Sequence, residues 1–92
     1  MIDQREVTRL ESRFRSEHRK FHDLDRDPDS GAGIELRHLA FSYFSAKYGI
    51  HDANATAAQF SEAARAARRY GSPVLQPLWE EWEHEATVRQ TS

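Results

Sequence analysis

The chain contains no cysteine. Disulfides, thiolate catalysis and cysteine-built zinc sites are therefore excluded. Methionine occurs once, proline three times and glycine four times, so few positions can interrupt regular structure. Long apolar runs are also missing: no stretch approaches the ~18 consecutive apolar residues of a membrane span. The opening MIDQREVTRLE holds no apolar signal region, and a soluble, cytoplasmic protein is expected. There is no strong excess of either charge. A net charge of −2 and a pI near 6.2 give no general attraction to nucleic acid or to anionic membrane. Apolar residues make up 38% and charged residues 30% of the 92 positions. That is lean for a single domain, which at this length buries only about 60–65% of its unfolded surface. A homodimer or a partner protein would relieve the shortage.

What the chain does have is helical patterning. The stretch Glu35–Gly49, ELRHLAFSYFSAKYG, carries Phe41, Tyr43, Phe44 and Tyr48, four of the ten aromatic residues. Apolar residues at 36, 39, 40, 43, 44 and 48 form one wide face, and Phe41 lies off it. A helix apolar most of the way round is normally buried on more than one side, so this one is expected to be central.

Before it, Val7, Leu10, Phe14, Phe21 and Leu24 recur in steps of three and four, broken only by Glu17. The pattern predicts an amphipathic helix from about Asp3 to Leu24, roughly 33 Å long, with Asp3 and Glu6 resembling a capping box. So narrow a seam suits a helical hairpin or a dimer interface. If it is a dimer interface, polar residues at Leu10 and Phe14 would dissolve the dimer. Asp23–Gly33 is the main break, because Pro28, Gly31 and Gly33 oppose a continuous helix.

After Gly49, placed as a helix-ending glycine with Ile50 behind it, Asp52, Asn54 and Thr56 are candidate caps for a third helix running to about Tyr70. Its face of Ala57, Phe60, Ala63, Ala64, Ala67 and Tyr70 is expected to pack closely on the central helix. Pro73 and Pro77 predict a turn over 73–76 and a last helix starting near Pro77. Leu78, Trp79, Trp82 and Ala86 line its apolar edge. Residues 87–92 are expected to fray. The fold class is thus an all-α bundle: one domain over residues 1–92, with a long amino-terminal helix and about three shorter ones.

Chemistry is scarce. His18 and His22 stand four apart on one helical face, a metal-ligand spacing without a convincing third ligand. Asp23, Asp25, Asp27 and Asp29 alternate as in a calcium loop. The glycine wanted at the sixth position is Pro28, however, and the glutamate wanted at the twelfth is Ile34. A solvated acidic loop is the better reading. No nucleophile elbow or phosphate-binding glycine loop is present, so neither an enzyme nor a cofactor is expected.

Arg65, Arg68 and Arg69 would lie on the reading helix if 35–49 and 56–70 formed a helix-turn-helix. Against this, the connection is long, the arginines sit at the carboxy end of that helix, and the chain is mildly acidic. The expectation is a non-enzymatic protein-interaction module: an adaptor, an inhibitor or a mobile-element-encoded modulator of another protein. Trp79, Trp82, Leu10 and Phe14 are the candidate contact residues, since tryptophan anchors interfaces more often than most residues. Trp82 is the better core candidate of the two tryptophans, and Trp79 the better exposed anchor.

Overall fold

Val7, Phe14 and Phe21 recur at seven-residue intervals, which aligns them along one stripe of a helix. In the computed structural model, which describes residues 4–91, that helix is α1 (Gln4–Asp23), and these are its buried side chains. Asp3, the expected partner of Glu6, lies outside the described residues. Glu17 is exposed, and His18 takes the place in the stripe that Glu17 leaves open. The stripe is used within the chain, because α1 runs antiparallel to α2 (Gly31–Tyr48). Phe14 stacks on Tyr43 at 5.6 Å and meets Phe44 edge-on at 5.5 Å, while Glu11 reaches Lys47 near the other end of α2 at 3.9 Å. Of the two uses read for the seam, the hairpin is the one formed. Leu24 follows the end of α1 and is 60% exposed.

α2 begins a turn earlier than Glu35. Ser30 caps it by accepting a hydrogen bond from the Gly33 amide at 3.3 Å, so Gly31 and Gly33 fall in the first turn rather than in the loop. The helix stops at Gly49, whose φ of +67° is the left-handed conformation favoured just past a helix end. Phe44 is the hub of the core. Its ring lies 5.5 Å from Phe14, 6.1 Å from Tyr70 and 5.8 Å from Trp82, joining α2 to α1, to the turn after α3 and to α4. α2 is central in this sense, yet one flank is uncovered: Ile34 and Phe41 are each 46% exposed. The all-round apolar pattern does not here mean all-round burial.

α3 (Ala57–Arg68) is capped by Thr56, and Gln59 returns the bond to complete a capping box. Gln59 also donates to the Tyr48 carbonyl at 3.1 Å, tying the start of α3 to the end of α2. The helix ends two residues short of Tyr70. Its buried face of Phe60, Ala63, Ala64 and Ala67 packs chiefly on α4 (Gln76–Thr91), not on α2 as expected. The alanines let α4 close on α3, while the capping loop holds α3 at the end of α2.

A single 3₁₀ turn, Pro73–Leu75, buries Val74 and Leu75 completely and precedes α4. Pro77 occupies the second position of α4, where its missing N–H costs nothing. The expected fraying from residue 87 is not what is seen: α4 is helical to Thr91. Arg89 holds it. The guanidinium donates to the carbonyls of Ala53 and Ala55 and lies 4.7 Å from the Phe60 ring centroid.

The described residues thus form four α-helices and no strand, in two hairpins packed side by side. The molecule measures 42 × 28 × 20 Å, and its thickness is that of two helix layers at about 10 Å each. No described helix is long and apolar enough to cross a membrane.

Candidate functional site

Phe14 is fully buried in the hairpin core, with Tyr70 edge-on at 5.2 Å in addition to its contacts on α2. Trp82 is 2% exposed and packs edge-on against Phe44. The Phe14 ring is closed to a partner, and Trp82 offers only the edge that floors a recess beside Phe41. Leu10 and Trp79 are half-buried against the same core and sit on different helices. The four expected contact residues therefore do not make one surface.

The surface that does form is centred on Phe41. Ile34, His38 and Phe41 fall at helical steps of four and three, which places them on the outward flank of α2, and all three are exposed. The Phe41 ring sits 6.3 Å from that of Trp82 and borders a recess on either side. One, of about 370 Å³, is lined by Arg37, His38, Ser42 and Leu78. The other, of about 200 Å³, has Ile50, Phe60 and Trp82 in its floor and Glu81 and Glu85 at its edge. Arg37 cannot swing into the first recess freely, because its Nε donates to the Val74 carbonyl at 3.1 Å. Glu85 is paired with Arg89 at 3.0 Å, while Glu81 has no ion pair among the described residues. The floor is rigid: Leu78, Ile50, Phe60 and Trp82 are core residues. Phe41 lies off the main apolar face, a position that in the sequence alone suggests extra burial. An off-face aromatic is also the signal of a docking surface.

A second concavity lies between α1, α2 and the end of α3. Arg15, Lys47 and Arg69 surround Tyr43, Tyr48 and Tyr70 in a recess of about 280 Å³. Tyr43 donates to Glu11 at 3.2 Å and accepts from Lys47 at 3.3 Å. Burial, opposed by Lys47, raises the Tyr43 pKa. The Tyr43 hydrogen bond raises that of Lys47, against its own partial burial. Arg15 pairs with Glu11 at 3.1 Å, and a hydrogen bond with Tyr70 is the main cause of its raised pKa.

The arginines proposed for a reading helix diverge. Arg68 pairs with Glu83 of α4 at 3.3 Å, whereas Arg65 and Arg69 line a shallow recess with Tyr48 and Glu62 on the other side of α3.

His18 and His22 face each other with ring centroids 4.5 Å apart. Burial, and secondarily the charge of His22, lowers the His18 pKa. His18 packs into the aromatic core, 5.5 Å from Phe14 and 5.2 Å from Tyr70, and its Nε2 is buried without a hydrogen-bond partner. No group of three or more His, Asp or Glu side chains that could hold a metal occurs among the described residues. In the acidic loop, Asp27 accepts from the Asp29 amide at 2.9 Å and shapes the turn into α2.

The chain matches no protein-family model, and no curated protein or solved structure is significantly similar to it.

Proposed function

We propose that the protein is a small non-enzymatic interaction module that binds and modulates another protein across the Phe41 face of α2 and α4. The observation that carries this reading is Phe41 itself, a phenylalanine 46% exposed on a rigid helix, between two recesses with a core floor. An isolated exposed apolar residue needs no explanation, but one aligned with Ile34 over preformed recesses resembles the grooves that receive the apolar face of a partner helix. Leu78 and Trp82 contribute to that groove from below, so the carboxy-terminal helix keeps its expected part in binding, with Phe41 and not Trp79 as the anchor. Val7, Phe14 and Phe21 are spent on α2, so the exposed Phe41 face is a better candidate for self-association than the α1 seam.

The helix-turn-helix reading has less behind it. Eight residues, 49–56, separate α2 from α3, and Arg68 is engaged with Glu83.

Affinity capture from the source cell's lysate, with nuclease and at high salt, tests the proposal when run in parallel on the wild type and Phe41→Asp. A protein retained by the wild type and lost from the variant supports it. Equal retention by both overturns the assignment of the surface. Retention that disappears with nuclease overturns the protein-binding reading.

A further inference from the structure

The tyrosine-lined recess between α1, α2 and α3 has a composition unlike the Phe41 face and shares no residue with it. Three cations, Arg15, Lys47 and Arg69, border it. One carboxylate, Glu11, answers two of them: it lies 3.1 Å from Arg15 and 3.9 Å from Lys47. Arg69 has no ion pair among the described residues. The recess therefore carries a surplus of positive charge over aromatic walls. It continues past Tyr48 and Arg69 into a neighbouring one of about 260 Å³, where Arg65 and Glu62 add one charge of each sign and leave the surplus unchanged.

We propose that this recess binds a nucleotide unit, with the phosphoryl group among Arg15, Lys47 and Arg69 and the base against the Tyr48 and Tyr70 rings. Three features select this chemistry. A phosphate monoester carries a charge of about −1.5 to −2 at neutral pH, which matches the surplus of two. Arginine offers forked donors that suit phosphate oxygens, and two of the three cations are arginines. Tyr48 and Tyr70 line the recess and are partly exposed, and stacking on aromatic rings is tolerant of base identity. The Lys47 ammonium lies over the Tyr48 ring, 5.8 Å from its centroid, so a phosphate that draws Lys47 aside would leave its base within reach of that ring. At about 280 Å³ the recess is near the lower end of small-molecule sites, which span roughly 300–1,000 Å³. It suits one nucleotide and no larger body. The nucleotide could be free, as the monoester that the surplus of two matches, or part of a single strand, whose phosphodiester carries one charge beside the same base.

The test follows backbone amide shifts of the full chain on titration with adenosine and uridine monophosphates, their nucleosides, inorganic phosphate, a single-stranded oligothymidylate and a duplex of equal length. The expected result is saturable shifts around residues 43–48 and 66–70 with the monophosphates or the single strand. Phosphate alone and the nucleosides bind more weakly. The tighter of the two active arms identifies the source. Arg69→Gln weakens binding roughly tenfold, the size of one charge-assisted hydrogen bond, and Arg9→Gln on the far side of α1 leaves it unchanged. Arg69 is exposed and makes no ion pair, so its replacement leaves the fold intact. The proposal is overturned if no ligand shifts these amides, if phosphate alone binds as well as the nucleotides, if the duplex outbinds the single strand, or if Arg69→Gln changes nothing.

Discussion

The Gly33 backbone lies so close to Pro28 that a Cβ at position 33 would stand 2.1 Å from the Pro28 carbonyl oxygen. That oxygen belongs to the backbone of the turn that delivers α1 to α2, so it cannot step aside as a side chain would. Helix propensity alone favours alanine over glycine by up to ~1 kcal/mol, but a forced shift of packed backbone typically costs ~1–3 kcal/mol or more. The clash wins. Gly33→Ala is expected to lower the melting temperature by several degrees. Gly31→Ala, with nothing within 4 Å of the added carbon, is expected to hold or raise it. Thermal denaturation of the two variants side by side checks both signs. Equal effects would contradict the close approach.

Phe14 and Phe41 are both phenylalanines on helices, and their environments are opposite. Phe14 is fully buried among Tyr43, Phe44 and Tyr70. Phe14→Ala is expected to cost ~3–5 kcal/mol, a large part of the stability of so small a domain. Phe41→Asp removes a ring that is already half in water and is expected to move the melting point by only a few degrees. Chemical denaturation of both variants would show the contrast, and light scattering on Phe14→Ala would show unfolding rather than dissociation. A folded, monomeric Phe14→Ala beside a dimeric wild type would restore the dimer reading of the α1 seam.

The elements were legible where their signals are local. Gly49 marks the end of α2, Thr56, one of three candidate caps, marks the start of α3, and Pro77 marks the first turn of α4; each acts through bonds a few residues long. The spacing of Val7, Phe14 and Phe21 likewise gave α1 and its buried stripe. What stayed hidden depends on distant residues. The choice of α4 as the main neighbour of α3 depends on chain geometry after Gly71, which the alanine face does not encode. Gly33 reads as a helix breaker until the carbonyl of Pro28 is seen against it. Trp79 and Trp82, by contrast, were separable, because Trp82 aligns with Leu78 and Ala86 while Trp79 lies off that line, and the Trp82 ring is buried and the Trp79 ring half-buried. Phe41 shows the ambiguity most clearly, since extra burial and exposure for a partner write the same residue.

Arg89 is a side chain whose role no local pattern announces. It reaches back 34 residues in sequence to the Ala55 carbonyl, at 2.5 Å, and also covers the Phe60 ring. Hydrogen bonds from a charged donor are worth ~1.5–3 kcal/mol, reduced here by partial exposure. Arg89→Ala is therefore expected to cost ~1 kcal/mol and to loosen the end of α4. Amide hydrogen exchange should accelerate over residues 86–90 while the Phe44 cluster stays protected. Lysine at this position keeps the charge but cannot bond Glu85 through one nitrogen and the two carbonyls through another, so Arg89→Lys restores only part. Unchanged protection in Arg89→Ala would mean that the helix end holds by its own propensity.

His18 links the core to pH. Its ring sits against Phe14 and Tyr70 with His22 beside it, and burial is the larger cause of its lowered pKa. The unfolded chain, with a histidine near its usual value of about 6.5, takes up a proton that the folded state resists. Stability then rises with pH wherever the unfolded state binds more protons. The contribution of neutral His18 is complete above that unfolded value and is lost as the pH falls through it toward the lowered folded value. Urea denaturation at pH 7.5 and at pH 5.0 is expected to show a weaker fold in acid. In His18→Gln, which keeps a polar side chain but cannot titrate, the difference between the two pH values shrinks. His22→Gln gives the complementary reading, because removing the neighbouring charge lets His18 protonate more readily and flattens the slope partway. A wild type more stable at pH 5.0 than His18→Gln, relative to pH 7.5, would reverse the sign and show that the protonated imidazole is the form the fold prefers.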